Sequence, residues 1–139
     1  MRFMIFVKAT PQTEAEGPGA MPDQQLMADM AGYHEALAKA GVLLDGAGLR
    51  PSRLGWRIHY GAGDRRTVTD GPFAESKEVV AGYTLIQVRS REEALEWARR
   101  FPNPMGRGQE ADIEVRQLYE LEDFGDTEQT RRLRKLGMG

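Results

Sequence analysis

The segment MRFMIFVK, Met1–Lys8, decides the fold of this chain. Phe3, Ile5 and Val7 alternate with Met4 and Phe6, so an extended strand here is apolar on both faces. A strand of that kind is buried from both sides. Only five uncharged residues separate Arg2 from Lys8, too few for a signal-peptide core and far too few to span a bilayer. No later run reaches the roughly eighteen apolar residues of a membrane helix, and a cytoplasmic location with no membrane partner is expected.

The 139 residues suit one domain with a core of its own. Apolar residues make up 40% and charged residues 29%, a globular rather than a disordered balance. The net charge of 19 − 21 = −2 lacks the basic excess of a nucleic-acid surface. The absence of cysteine removes disulfides, thiolate metal sites and thiol nucleophiles, and fits a reducing compartment.

Working outward from the first strand, residues 9–22 (ATPQTEAEGPGAMP) read as a long loop, either a functional lid or a simple connection. A helix is expected from Pro22-Asp23 to Gly41, with Leu26, Met30, Tyr33, Leu37 and Ala40 as its core stripe and His34 on the flank. VLLDGAGLRP follows as a short apolar run with glycine turns. Residues 53–69 read as a hairpin, because Leu54, Trp56, Ile58 and Tyr60 alternate with Gly55, Arg57 and His59 before the turn GAGDRR. AGYTLIQVR (81–89) is a further strand. Ser90 and Glu93 then form a capping-box pattern for a helix ending at Phe101. ADIEVRQLYEL closes the set as a last strand, with Ile113, Val115, Tyr119 and Leu121 on one face and Glu114, Arg116, Leu118 and Glu120 on the other. Residues 122–139 read as a charged tail, acidic first and then RRLRK, in the form of a solvated or frayed helix.

The resulting order, β-α-β-β-α-β with one extra hairpin over residues 1–121, is the ferredoxin-like split βαβ arrangement of the α+β class. Its helices cover one face of the sheet. A first strand apolar on both faces needs a cover for the other, and a second copy of the same sheet supplies one, so a homodimer is expected.

Several searches return nothing. DGAG at 45–48 is followed by Leu-Arg-Pro instead of a helix, which argues against a phosphate or dinucleotide loop. No G-x-S-x-G occurs, and with His34 and His59 the only histidines, neither a metal nor a cofactor is expected. The stretch TDGPFAESKE, Thr69–Glu78, stands out. Asp70 accepts hydrogen bonds from nearby main chain, Gly71 tolerates unusual dihedrals, Pro72 fixes φ, and Phe73 would anchor in the core. That describes a rigid turn. Such a turn also presents Glu75 and Lys77 beside the open sheet face, where an acid and a cation can orient a small polar ligand. Arg116 in the last strand either pairs with Glu114 or a partner-chain acid, or meets a ligand. His34 reads as a surface histidine or a general base. His59 shares a strand face with Arg57, facing solvent or a cleft.

TDGPFAESKE, the following GY of AGYTLIQV, EEALEWARRFP and IEVRQLYELEDF together resemble the DGPF-domain branch of the YCII-related proteins, in order from about residue 1 to 124. The resemblance implies a dimeric α/β barrel built from two ferredoxin-like domains. It implies no single activity. Some relatives are enzymes with a His-Asp pair in the cleft, one branch acting on chlorinated aromatic ring intermediates. That histidine would fall near Met27 or Ala28, where this chain has none. The branch also implies a link to extracytoplasmic-function sigma factors.

Two functions follow. One is a non-catalytic dimeric module that binds a small ligand or plays an accessory, regulatory part. The other is a cofactor-independent lyase or isomerase acting on a small, aromatic-derived acid or lactone. For that enzyme, Asp70 and His34 would be the catalytic groups and Glu75, Lys77 and Arg116 the ligand binders.

Overall fold

The computed structural model describes residues 1–139, Pro18 through its main chain only. The strands in chain order are β1 (Arg2–Lys8), β2 (Leu43–Gly48), β3 (Trp56–Tyr60), β4 (Arg66–Asp70), β5 (Val80–Gln87) and β6 (Ile113–Gln117). The helices are α1 (Pro11–Glu14), α2 (Gln24–Lys39), α3 (Arg91–Arg99) and α4 (Glu128–Lys135). The fold is α+β. One antiparallel sheet runs β2-β5-β1-β6, and a separate two-stranded ribbon pairs β3 with β4. In this single chain the four-stranded sheet is open, with β2 and β6 as its edges.

Local chemistry explains the helix limits. Asp23 caps α2 by accepting from the Leu26 N–H at 2.8 Å, and Gly41, at φ +75°, takes the left-handed turn that ends it. Ser90 accepts from the Glu93 N–H at 3.1 Å to start α3. The return half of that capping box goes one residue further back, where Glu93 accepts from the Arg89 N–H.

Cross-strand register sorts the side chains of β1. Phe3 faces Ile86, and Ile5 faces Thr84 and Val115, on the side that packs against Tyr33, Leu37, Ala94 and Trp97 of α2 and α3. Ile5, Leu37 and Ile86 lose all solvent contact. Each such side chain contributes about 1.5–3 kcal/mol through burial. On the reverse side Met4 stands opposite Leu85 and Arg116, and Phe6 opposite Tyr83 and Glu114. No residue of that side belongs to the core cluster.

The tertiary structure departs from the sequence reading in four places. The loop 9–22 holds α1, closed by a reciprocal box in which Thr10 and Thr13 cap one another. Within VLLDGAG, Leu43–Gly48 is strand β2, held extended at the sheet edge by its pairing with β5. The last strand stops at Gln117, because Glu120 and Asp123 open a 3₁₀ turn over Leu121–Phe124. Phe73 is half-buried under the Arg57 guanidinium, 3.8 Å from the ring centre, and stays outside the core cluster. The tail, expected as a solvated or frayed helix, contains α4, capped by Thr127 and with its own Thr130 buried.

Candidate functional site

The turn at Thr69–Glu78 is organised by Ser52. The Ser52 N–H donates to both carboxylate oxygens of Glu14 at 3.1 Å, and its hydroxyl donates to Oε2 at 2.5 Å. The same hydroxyl accepts from the Phe73 N–H at 3.1 Å. One buried oxygen thus joins the connection 9–22 to the turn. Gly71 lies against this junction, donating to the Gly55 carbonyl, and an added Cβ there would land on the Ser52 carbonyl. Arg53 runs alongside with a buried, unpartnered Nε 3.7 Å from Glu16.

The residues singled out in the sequence lie in three separate places. Asp70 is exposed at the end of β4, opposite Trp56, and Glu75 and Lys77 are exposed where a 3₁₀ turn, Ser76–Glu78, follows. Arg116 is exposed on β6 and pairs with Glu114 at 3.5 Å. His34 lies inside. Its Nδ1 donates to the Met30 carbonyl at 2.7 Å, which leaves Nε2 to accept from the Thr84 hydroxyl at 2.8 Å in the neutral ring. Thr84 is almost fully buried, and Gly46 opposite it would bring a Cβ to 3.5 Å of Nε2. The structure therefore groups Asp70, Glu75 and Lys77 in one connection and places His34 and Arg116 apart from them. His59 is exposed on β3.

Two concavities lie elsewhere, and sequence reasoning missed both. A groove of about 430 Å³ is lined by Gln12 of α1, by Asp23, Gln25 and Asp29 at the start of α2, and by Met105 and Arg107. A second, of about 410 Å³, runs past Asp29, Gly32, Tyr33, Arg100, Asn103 and Arg107. The ion pair between them is bidentate, with Arg107 donating from Nε at 3.1 Å and from Nη2 at 2.8 Å to Asp29. Gln25 donates to the same carboxylate at 2.9 Å. Asn103 shapes the loop by donating to the Gln109 carbonyl and accepting from the Met105 N–H. Thr10 donates to the Met105 sulfur, so the connection 9–22 borders the first groove. Nothing local marks Asp29 or Arg107, which are 78 residues apart. The Thr10–Thr13 capping pattern was the one signal available near Glu14.

The electrostatics follow from these pairings. The Arg107 hydrogen bond holds the Asp29 carboxyl below its ordinary value of 3.8, and the Arg2 hydrogen bond holds Glu120 below 4.5. Burial pushes the Tyr33 hydroxyl up to about 12, and it donates to the Trp97 carbonyl at 2.7 Å. Asp45 raises Tyr83 by accepting its hydroxyl proton at 2.9 Å. A carboxyl held low in the folded state stabilises it fully above its unfolded value, and loses that effect as pH falls through the lowered one. The melting temperature is therefore expected to stay level from about pH 7 to 5 and to fall below about pH 4. Asp29→Asn should flatten part of that fall in a calorimetric pH series. A fall as steep as in the parent chain would show that the Asp29–Arg107 pair adds nothing.

Among the described residues, no group of three or more His, Asp or Glu side chains is placed to hold a metal ion. No helix is long and apolar enough to cross a membrane. The donors of the two grooves are an ion pair, amides and guanidinium groups, which bind and orient polar atoms.

Comparison with known proteins gives a family and no activity. A family model for the YCII-related domain matches residues 1–120. An uncharacterized protein of Rhizobium meliloti (strain 1021) is 37% identical over 81 residues, which is 58% of this chain and 64% of that protein. The chain thus spans less than two thirds of the curated relative it matches. The chain belongs to the YCII-related domain family.

Proposed function

We propose that this chain is a small-ligand-binding, accessory module of the DGPF branch, working in the cytoplasm as a homodimer of ferredoxin-like domains. The observation that carries the ligand reading is the Asp29–Arg107 pair set between two polar grooves. A volume near 430 Å³ suits a small metabolite, since ligand sites run from about 300 to 1,000 Å³. With its Nε and Nη2 donating to Asp29, the guanidinium can use its Nη1 edge to donate to a ligand carboxylate or phosphate, while Asp29, Gln12 and Gln25 can accept from or donate to its polar substituents. His34, with both ring nitrogens engaged in the fold, favours binding over acid–base turnover.

The strand order β2-β5-β1-β6 supports the ferredoxin-like reading, because β1–α2–β2 and β5–α3–β6 each cross over one intervening strand. The side of β1 left outside the core supports the dimer. A regulatory link to an extracytoplasmic-function sigma factor rests on the resemblance to the DGPF branch alone.

A thermal-shift screen with small aromatic acids, dicarboxylic acids and lactones, followed by calorimetric titration, tests the site. A hit should bind at least about tenfold more weakly to Arg107→Ala, as expected when a charge-assisted pair is lost. Unchanged binding removes the groove from consideration. Loss of binding in Glu75→Ala or Lys77→Ala instead would move the site to the 69–78 turn, and turnover of a hit would restore the lyase or isomerase reading.

A further inference from the structure

The β3–β4 hairpin leaves most of its apolar side uncovered, with the Arg66 guanidinium 4.7 Å above the Tyr60 ring. Register places Ile58 opposite Val68, and side chains alternate, so Trp56, Ile58, Tyr60 and Val68 share one side. Trp56 and Tyr60 are each 64% exposed and Val68 62%. A two-stranded ribbon is marginally stable alone, and a contiguous apolar patch of this kind marks an interaction surface. Its surroundings are basic. Residues 50–70 carry five arginines against two acids, Asp64 and Asp70.

The margin formed by β6 and the turn after it has the opposite character. Residues 110–124 carry six acids against one base, Arg116. Arg2 pairs with Glu120, Arg134 with Glu122 and Arg116 with Glu114. Among the described residues, Glu110 and Asp112 have no ion pair. Asp112 lies against Lys8 at one end of β1, and at the other end, past β6, Tyr119 and Phe124 meet at a tilt with ring centres 5.0 Å apart while 73% and 58% exposed. The hairpin hangs between β2 and β5, in the half of the sheet away from β6. One chain therefore carries a basic apolar arm and an acidic aromatic seat on opposite sides, and a two-fold pair of chains satisfies both at once.

We propose that the β3–β4 hairpin is a docking arm that seats on the β6 margin of a second copy of this chain. Its apolar side lies on Tyr119 and Phe124, and its arginines face Glu110 and Asp112. The proposal rests on the homodimer reading above and adds the contact that orients it.

A charge-swap experiment on the full chain tests it by sedimentation equilibrium, with circular dichroism as a check on folding. One variant carries Arg65→Glu with Arg66→Glu, and the other Glu110→Lys with Asp112→Lys. Each alone should dimerise at least about tenfold more weakly than the parent, the deficit shrinking as salt rises. An equimolar mixture should recover parental affinity, because both arm–seat contacts of the mixed dimer again join opposite charges. A parental chain that dimerises while both variants match it, or a mixture no tighter than its components, overturns the arm and leaves the dimer standing. A parental chain that stays monomeric overturns both.

Discussion

Gly71→Ala is expected to destabilise the chain by about 3 kcal/mol or more, lowering the melting temperature by roughly 10 °C. The added methyl would occupy the position of the Ser52 carbonyl oxygen, with the Ser52 carbonyl carbon and the Arg53 nitrogen close behind. All three are main-chain atoms, so no side-chain rotation relieves the overlap. Either the Gly71 N–H leaves the Gly55 carbonyl, 3.0 Å away, or Ser52 moves off Glu14. Both routes break the junction that seats the turn. Gly48→Ala is the matched control, because an added Cβ there meets nothing within 4 Å. That variant should be close to neutral, with any gain coming from a less flexible unfolded chain. Equilibrium denaturation of the pair decides the matter. A difference under about 1 kcal/mol between them would mean the turn shifts freely and is not fixed by Ser52.

Ser52→Ala should be the next most costly of these changes, at about 1–3 kcal/mol. The hydroxyl serves two partners, so its removal leaves the Phe73 N–H without an acceptor and the Glu14 carboxylate without its shortest donor. Glu14→Ala should cost a similar amount, and the double variant should cost less than the sum, since the two residues act through one contact. Additive losses would show that they stabilise the fold separately. By contrast, Glu75→Ala and Lys77→Ala, both exposed, should stay within about 0.5 kcal/mol of the parent. The Phe73→Ala cost should fall below the roughly 3–5 kcal/mol of a fully buried ring, because the Arg57 guanidinium covers one side only.

These contrasts also assign parts within the connection 9–22. Glu14 fastens it to the turn through Ser52, while Gln12, two residues earlier, lines the first groove. A change at Ser52 should therefore loosen one wall of the groove without touching Arg107 or Asp29.

The helix limits were legible in the sequence because they are settled within a few residues. Asp23, Gly41 and Ser90 act on main chain at most three or four positions away, and each sits where its chemistry requires. The β1 pattern was legible for a related reason. Alternation along a strand is intrinsic to extended backbone, and it put Phe3 and Ile5 on one side and Met4 and Phe6 on the other before any partner strand was known. Where two local signals competed, the reading was less sure. The glycines of Leu43–Gly48 looked like turns, but pairing with β5 held them extended. Tyr119 and Leu121 continued the alternation of β6, but the Glu120–Asp123 box turned the chain first.

The candidate site was settled by tertiary structure alone. Glu14 meets Ser52 across 38 residues, His34 meets Thr84 across 50, and Asp29 meets Arg107 across 78. Each pair joins common residue types that carry no mark of their partner, since a hydrogen bond between distant positions leaves no periodicity or cap in the sequence. The histidine that the sequence offered as a base is held by two fold contacts, and the turn offered as a site is fastened by a serine outside it. Local chemistry determined which elements this chain forms. The packing of α2 and the 103–109 loop around one arginine decided where the surface leaves its two grooves.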